Sequence, residues 1–560
     1  MNSKKINRTN WIYIGLITLI WFVVYILAQI FLEQKLGWDE VNYMSTAKGI
    51  AADFDFSSRT YTIMGLIKHG YPSSLINFPI FSIYLAGFFK LFGASLKVAY
   101  FSTWLCALGV CILIYLIFLL LSENNRKLAF CTSISYLFFP GILKTCDSAM
   151  MEQMGCLLLC LAVYLILKDY VKGTFNYITV LKFSLSFLII WLYKSLFVGF
   201  FFGALIFILF AYNSKISGKK LNTKIPLFLF VTLSYGIFAV LFYILKKFVF
   251  LPVAPMMSFS PALEYSQVYA DFLGGFLNNF LQNAINNIIT FFVYAVAPYF
   301  IYPIAYTHPS SQVFVFVPHV IYLAMYFFLT FITIVLTFAY WKKLKPEVKL
   351  FVGLTLGTII SFNLIFNFLF STTYENMWRY NVYSLPLFLC YIAIIFRTHF
   401  EYAKPFALEH PIVIKVIPSF ILIFYFLPLS LSLLNTQLVL WNGYHIRAKN
   451  NAELVRSFIK DDSPGFIYFN DGLHTTLTDY PIRQVFKDAT NEQLLQVNKI
   501  LPEPIKYLFL KPTDWLFVNN KDLIIKGSLI LNNQYETIGF NNEAQVVVYK
   551  LRGEKEKIDN

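Results

Sequence analysis

The chain has 560 residues, 58% of them hydrophobic and 13% charged, and its mean hydropathy is +0.62. Soluble globular domains are roughly half apolar and about a quarter charged, so this composition excludes one and calls for a polytopic α-helical membrane protein. The formal charge of +15 fits basic loops on the cytoplasmic side of a membrane rather than nucleic-acid binding, and the aromatic share of 19% suits interfacial anchoring.

A crossing helix needs roughly 20 apolar residues. In chain order such runs lie near 11–32, 95–121, 128–143, 149–168, 175–193, 195–213, 225–246, 313–340, 349–370, 380–397 and 413–434, of which 128–143 and 380–397 are short. The first lacks a small-residue cleavage site, so it is expected to remain as a span rather than act as a cleaved signal. Basic residues recur at every second loop: Lys4, Lys5 and Arg8; Arg126 and Lys127; Lys168 and Lys172; Lys215, Lys219, Lys220 and Lys224; Lys342, Lys343, Lys345 and Lys349; Arg397, Lys404 and Lys415. The positive-inside rule gives this alternation for cytoplasmic loops. Residues 286–306 would break it by crossing, and Pro298 and Pro303 mark them as re-entrant or interfacial. The expected topology is about eleven transmembrane helices with the N-terminus cytoplasmic and the C-terminus extracytoplasmic. Large outer loops then fall at 33–94 and 247–312, and the second is expected to act as a mobile cover.

The first outer loop opens GWDEVNYMSTAKG, placing Asp39 and Glu40 side by side just past a span, before a helix-like stretch, a polar turn and HGYP. The segment FPIFSIYLAGFFKLFG is too short to span and reads as a helix lying in the interface. One reading of Asp39-Glu40 is a helix N-terminal acid pair that complements the dipole. The other is a working site, because further charges reach the same side. Asp147 and Glu152 sit in LKTCDSAMMEQMG, Lys194 at the third outer turn, and Arg379 in YENMWRYNVYSLPLF. Lys182 is the main charge expected inside a span. Acids and bases on the outer ends of several spans suit a reaction in which a carboxylate takes a proton from an acceptor while cations hold a phosphate leaving group.

These stretches resemble the GT-C glycosyltransferases, integral membrane enzymes that use polyprenyl-phosphate-linked sugars, and most of all the branch of protein O-mannosyltransferases and the lipid A aminoarabinose transferase. GWDEVNYMSTAKG is similar to the family's Asp-Glu pair in the first outer loop, and HGYPSSLINFPIFSIYLAGFFKLFG to its Tyr-Pro stretch leading into an amphipathic helix. YKSLFVGFFFGALIFIL resembles its Lys-containing turn, and ENMWRYNVYSLPLF its Arg-Tyr segment opening a late span. The resemblance covers the whole length and implies an inverting transfer with Asp39 as general base and Glu40 supporting it. It also implies Asp147 as second acid, with Glu152 as its alternative, and Arg379 and more weakly Lys194 on the donor phosphate. His69 and Tyr71 in HGYP would orient donor or acceptor. Asp53-Phe54-Asp55 has the spacing of a metal-binding Asp-x-Asp, a tripeptide that arises easily in a polar turn, so no metal site and no cofactor is assigned. The partners implied are a polyprenyl-phosphate sugar donor, a lipid, glycan or protein acceptor, and membrane lipids, in a prokaryotic plasma or inner membrane.

After residue 434 the composition turns soluble. FIYFND, LFVNN, LIIKGSLIL and AQVVVYKL read as strands and ATNEQLLQVNKIL as a helix, giving a small α/β extracytoplasmic domain over 435–560 behind the membrane domain of 1–434. His474 in that domain reads as a turn histidine. The seven cysteines lie in or beside apolar runs without metal-site spacing, as buried thiols do. Alternatives to a transferase are a multi-span transporter or flippase of lipid-linked sugars, a polysaccharide polymerase or ligase, and a non-catalytic assembly subunit. A transporter would show internal repeats and charges deep within spans.

Overall fold

The computed structural model describes residues 8–31, 38–54, 60–63, 66–67, 80–122, 124–138, 142, 145–146, 148–172, 177–193, isolated helical positions between 236 and 244, 329–364, 382–409, 450, 453–459, 465–470, 483–486, 489–526 and 534–552. The segment 286–306, the loop 247–312 and His474 lie outside them. Among the described residues four helices are long and apolar enough to cross a membrane: Thr9–Ile30, Leu96–Leu121, Glu152–Lys172 and Val382–Tyr402.

Helix α1 (Arg8–Phe31) shows how the bundle is built. Ile17, Trp21, Val24 and Ala28 recur at helical spacing and are buried, while Ile12, Leu16, Leu19, Val23, Ile26 and Ile30 stay exposed on the other side. An exposed apolar stripe is the lipid-facing side of a span. The buried stripe is held by close packing rather than by expulsion of water, since lipid is as apolar as leucine. Trp21 on that stripe adds a polar link, its indole Nε1 donating to the Trp104 carbonyl at 2.8 Å. Trp104 lies on α4 (Leu96–Leu121).

The helices alternate in direction. Past α2 (Trp38–Asp53) and α3 (Ile80–Phe92), α4 returns to where α1 began and α5 (Arg126–Leu137) starts there. Arg126 Nε donates to Asn10 Oδ1 at 2.8 Å, fixing both helix starts at one end. Helix α6 (Glu152–Lys172) runs toward that end and α7 (Tyr177–Tyr193) away from it. Helices α8 (Leu329–Tyr340) and α9 (Pro346–Leu364) repeat the pattern. After a 3-10 turn at Val382–Ser384, α10 (Leu385–Glu409) returns to the same end. There Lys343 lies over the rings of Tyr340 and Tyr402 at 5.7 and 4.5 Å, and Tyr340 Oη meets His399 Nδ1 at 3.1 Å. One end of the bundle is therefore basic and aromatic. Lys182, the main charge expected within a span, reaches Asp169 of the neighbouring α6 at 3.0 Å near this end.

The run 128–143 is a correction. The helix stops at Leu137 after 12 residues, about 18 Å of rise, short of the roughly 30 Å of a hydrocarbon core. Beyond it, Ile142, Thr145 and Cys146 stand in helical conformation, and with Ser148, Ala149 and Met151 they are buried. The non-helical residues 148–151 that lead into α6 have polar groups engaged nearby. Here Tyr136 Oη donates to Gln153 Oε1 at 2.8 Å, Gln153 Nε2 donates to Thr145 Oγ1 at 2.6 Å, and Ser148 Oγ donates to the Thr145 carbonyl at 2.9 Å. Six of the seven cysteines are buried as expected, and Cys131 on α5 is exposed.

The C-terminal residues build a six-stranded sheet of order β1-β3-β2-β4-β6-β5. Its strands are β1 (Thr60–Thr62), β2 (Phe466–Phe469), β3 (Arg483–Phe486), β4 (Ile505–Leu510), β5 (Tyr535–Asn541) and β6 (Val546–Leu551). The first four in spatial order are parallel, and β6 runs antiparallel to both its neighbours, β4 and β5. Alternate side chains divide between two faces. Tyr468, Val485, Leu508 and Tyr549 pack under helices α11 (Asn491–Ile500) and α12 (Trp515–Ile525), while Ile467, Phe469, Tyr507 and Val548 cover residues 453–458. Thr490 caps α11 in a full capping box with Gln493.

LFVNN, expected as a strand, belongs to α12, as do the first residues of LIIKGSLIL. Leu516, Asn520 and Ile524 are buried at a spacing of four while Val518 is exposed, which is a helical and not an alternating pattern. Strand β1 is an addition of another kind. It comes from the first outer loop, where a polar turn was expected, and the Ile63 and Leu66 that follow are 0% exposed within the α11 and α12 side of the core. Burying two such side chains from water stabilises by about 1.5–3 kcal/mol each.

Candidate functional site

Helix α2 starts at Trp38, so Asp39 and Glu40 lie inside its first turn rather than ahead of it. Acids are favoured there by the dipole and the open backbone N–H groups. Phe54 stops the helix with φ 54°, its N–H still bonded to the Ile50 carbonyl at 3.2 Å, so the Asp53 end of the Asp-x-Asp motif is a helix terminus. Glu40, Met44 and Ala47 recur at helical spacing on one buried face, with Glu40 only 3% exposed. A carboxylate in that position is costly unless its surroundings engage it. Asp39 is placed by its backbone, one turn before Tyr43.

Tyr43 ties α2 to two other segments. Its hydroxyl donates to Met151 Sδ at 3.0 Å, its ring meets Phe81 edge-on at 5.4 Å, and its carbonyl accepts from Ser82 Oγ at 3.2 Å. Phe81 and Ser82 belong to α3, whose Phe81, Leu85 and Phe89 turn inward while Ile83, Leu91 and Phe92 remain exposed. An apolar helix too short to cross, half packed and half bare, is suited to lying in the membrane interface. Tyr84 anchors it to α4 through a 2.8 Å bond to the Ser102 carbonyl, and the Cys106 thiol donates to its hydroxyl at 3.3 Å. Burial pushes the Tyr84 phenol far above its ordinary range, so it stays a neutral donor.

Met151 leads directly into Glu152, the first residue of α6 and 0% exposed. One turn on, the Cys156 thiol donates to the Val382 carbonyl at 3.4 Å, which brings the 3-10 turn against the same helix. The acid helix α2, the interface helix α3, the entry of α6 and the turn before α10 thus converge at the end of the bundle opposite the basic one. Two buried carboxylates, Glu40 and Glu152, come from different segments to this end. Groups of this kind at a lipid boundary can take or hold a proton without meeting bulk water.

Of the residues singled out from sequence, Glu40 and Glu152 are placed in full and Asp39 by its backbone. Asp147, Lys194, Arg379, His69 and Tyr71 lie outside the described residues. Tyr43, Gln153, Tyr136 and Thr145 were not singled out. Gln153 carried a usable signal, a polar amide at the mouth of an apolar run. Tyr43 carried none beyond standing one turn after Asp39.

No family model and no curated protein sequence matches the chain. Among solved structures it is similar to ArnT from Cupriavidus metallidurans bound to undecaprenyl phosphate, with a TM-score of 0.52 and 12% identity over 98% of this chain and 99% of that one. It is likewise similar to apo ArnT, with a TM-score of 0.51 and 12% identity over 97% of this chain and 98% of that one. An Archaeoglobus fulgidus oligosaccharyltransferase in complex with Zn and sulfate aligns at a TM-score of 0.49 and 11% identity, over 94% of this chain and 72% of that one. The chain is an integral membrane protein with the GT-C fold that its sequence resembles, and at this identity the likeness speaks for the fold.

Proposed function

We propose that the protein is a membrane glycosyltransferase that moves a sugar from a polyprenyl-phosphate-linked donor to an acceptor on the extracytoplasmic face. The observation that carries this reading is the meeting of α2, α3 and the entry of α6 at one end of a GT-C fold, with Glu40 and Glu152 buried there. The basic end fits the cytoplasm by the positive-inside rule, which leaves the acid end and the N-terminal face of α10 outside. ArnT, whose fold the chain shares, is bound to undecaprenyl phosphate in its crystal structure, which supports a donor of that class.

In this mechanism Asp39 removes the proton from the acceptor hydroxyl or amine as that atom attacks the anomeric carbon. The bond from that carbon to the phosphate oxygen breaks on the opposite side, so configuration inverts and the polyprenyl phosphate leaves with the bonding pair. Arg379 and Lys194 stabilise the leaving phosphate, Glu40 supports Asp39, Asp147 or Glu152 serves as second acid, and His69 and Tyr71 orient the reactants. The 3.0 Å pairing of Lys182 with Asp169 gives this lysine a structural partner, which weighs against a transporter that would use it for coupling.

The test is transfer of radiolabelled sugar from polyprenyl-phosphate donors by purified wild type and Asp39→Asn at matched thermal stability. Loss of transfer on the order of 10²–10⁴-fold is expected for a missing general base. Full activity in Asp39→Asn removes the assignment, and no transfer by wild type from any donor removes the enzyme reading.

A further inference from the structure

The loop between α2 and α3 does not run free between the two helices of the site. Its middle is built into the C-terminal sheet. Thr60, Tyr61 and Thr62 pair in parallel with Gln484, Val485 and Phe486, so β1 covers what would otherwise be the edge at β3. Ile63 and Leu66 then enter the sheet's core beside Val485, Leu494 and Tyr549, with Ile67 packed against it. Spacings of three and four put these three apolar residues on one helical face. The tether to the site is short on the α2 side: residues 54–59 span at most about 20 Å fully extended, and α2 also packs against β1 directly. On the other side the chain re-enters the site as α3, which holds Tyr43 through Phe81 and Ser82.

We propose that the C-terminal domain is a working part of the acid site, with β1, Ile63 and Leu66 forming a clip that fixes the position of α2. Ile63 and Leu66 are then positioning residues, acting on Asp39 and Glu40 through the backbone of α2. Two features favour this over a domain that merely covers the membrane face. Ile63 and Leu66 are fully buried on the sheet side and not on the bundle side, so their burial energy is spent on docking the loop. The segment they dock is flanked at both ends by helices that touch each other at Tyr43. A displacement of the sheet must therefore move α2, or break the clip.

The docking and its effect on α2 stand without any assumption about the reaction, while the effect on rate rests on the transferase reading above. In the full-length protein carrying Cys131→Ser, to remove the exposed native thiol, Thr62→Cys with Phe486→Cys is oxidised mildly. Adjacent strands lie roughly 4.8 Å apart, within disulfide reach, so these register partners are expected to cross-link, and Thr62→Cys with Glu536→Cys on the far strand β5 is not. Leu66→Asp, which places a charge in the core, is expected to raise amide hydrogen exchange across 38–53 about tenfold or more while α4 and α6 keep their protection. Closing the 62–486 disulfide in the Leu66→Asp chain restores α2 protection, and Leu66→Met never loses it. Where transfer is measurable, Leu66→Asp lowers kcat on the order of 10- to 100-fold with less change in donor KM, as misplacement of a reacting group does, and the disulfide recovers the rate.

Failure of the register pair to cross-link overturns the docking. Unchanged α2 exchange in Leu66→Asp, or no recovery on closing the disulfide, overturns the positioning role. Absence of transfer in wild type overturns the transferase reading and leaves the exchange results to decide the clip.

Discussion

The two ends of the bundle handle charge in opposite ways. At the basic end, lysines are held toward the surface, Lys343 over two tyrosines and Lys349 over Trp341 at 5.8 Å, while Arg397, 16% exposed, pairs with the exposed Glu401 one turn on at 2.6 Å. The lysine contacts anchor helix ends in an interface and leave those charges wet. At the other end the carboxylates of Glu40 and Glu152 are sealed among helices. A charge left wet costs the fold little and orients it. A carboxylate carried into a packed end has to be engaged by its surroundings, and on the proposed function that surrounding is a working site. On the proposed function the contrast gives topology to one end and chemistry to the other, and each variant below either breaks that division or sharpens it.

The largest effects are expected from carboxylates. Glu40→Gln and Glu152→Gln keep shape and hydrogen-bonding capacity but remove the charge, and each is expected to lower transfer on the order of 10²-fold. Lys345→Gln at the basic end is expected to leave the rate within about twofold, since interfacial cations are mainly topological. Equal losses at both ends, measured with one donor at matched protein level, would dissolve the comparison. Next in size is Gln153→Leu, which strips a buried amide from Tyr136 and Thr145 and leaves their hydroxyls to relax, at about 1–3 kcal/mol of stability. Thermal unfolding in nanodiscs reads the stability. Transfer should fall further than stability alone explains, because Gln153 braces the irregular stretch that delivers Met151 to Tyr43.

How much of this was legible in sequence follows from the range of each interaction. Helices α1, α4 and α6 announce themselves by length and apolar content, and α11 by Thr490 and Gln493 three residues apart, because both signals are local. The break after Leu137 was written in Phe139-Pro140-Gly141, yet the apolar count carried the reading across it. LFVNN was too short a window to show the spacing of Leu516, Asn520 and Ile524. Strand β1 had no signal at all: three residues pair with a strand more than 400 positions away, and parallel pairing leaves no hairpin to betray it. The Asp39-Glu40 pair was visible as a candidate, but that Glu40 turns inward with Met44 and Ala47 depends on where α2 begins, and a shift of one or two residues rotates the face.

Smaller again is the effect of unpairing Asp169. Its side chain is 10% exposed and that of Lys182 43%, so the pair is half open to solvent and the full cost of breaking a buried pair does not apply. Lys182→Met is expected to cost about 1–2 kcal/mol rather than the roughly 3–5 kcal/mol of a sealed pair. Adding Asp169→Leu should recover part of it, since two well-packed apolar groups replace the pair without leaving a charge behind. The transfer rate is expected to stay near wild type in both. A collapse of rate in Lys182→Met at retained stability would instead place a working charge inside the bundle, and would revive the transporter reading.

The smallest expected effect tests the basic end on its own terms. Lys343→Gln removes the cation from over Tyr340 and Tyr402 but leaves their stacked rings, 5.5 Å apart, in place. A cation–π contact at an exposed site is worth about 0.5–1 kcal/mol, so thermal unfolding should shift only slightly and transfer not at all. Lys343→Arg should be neutral, because a guanidinium stacks on the same rings at least as well as an ammonium does. The pair of variants isolates charge from size: if Arg restores what Gln loses, the contact is an electrostatic anchor between the end of α8 and α10. If Gln lowers transfer without touching stability, the basic end does more than orient the chain, and the division of labour between the two ends is wrong.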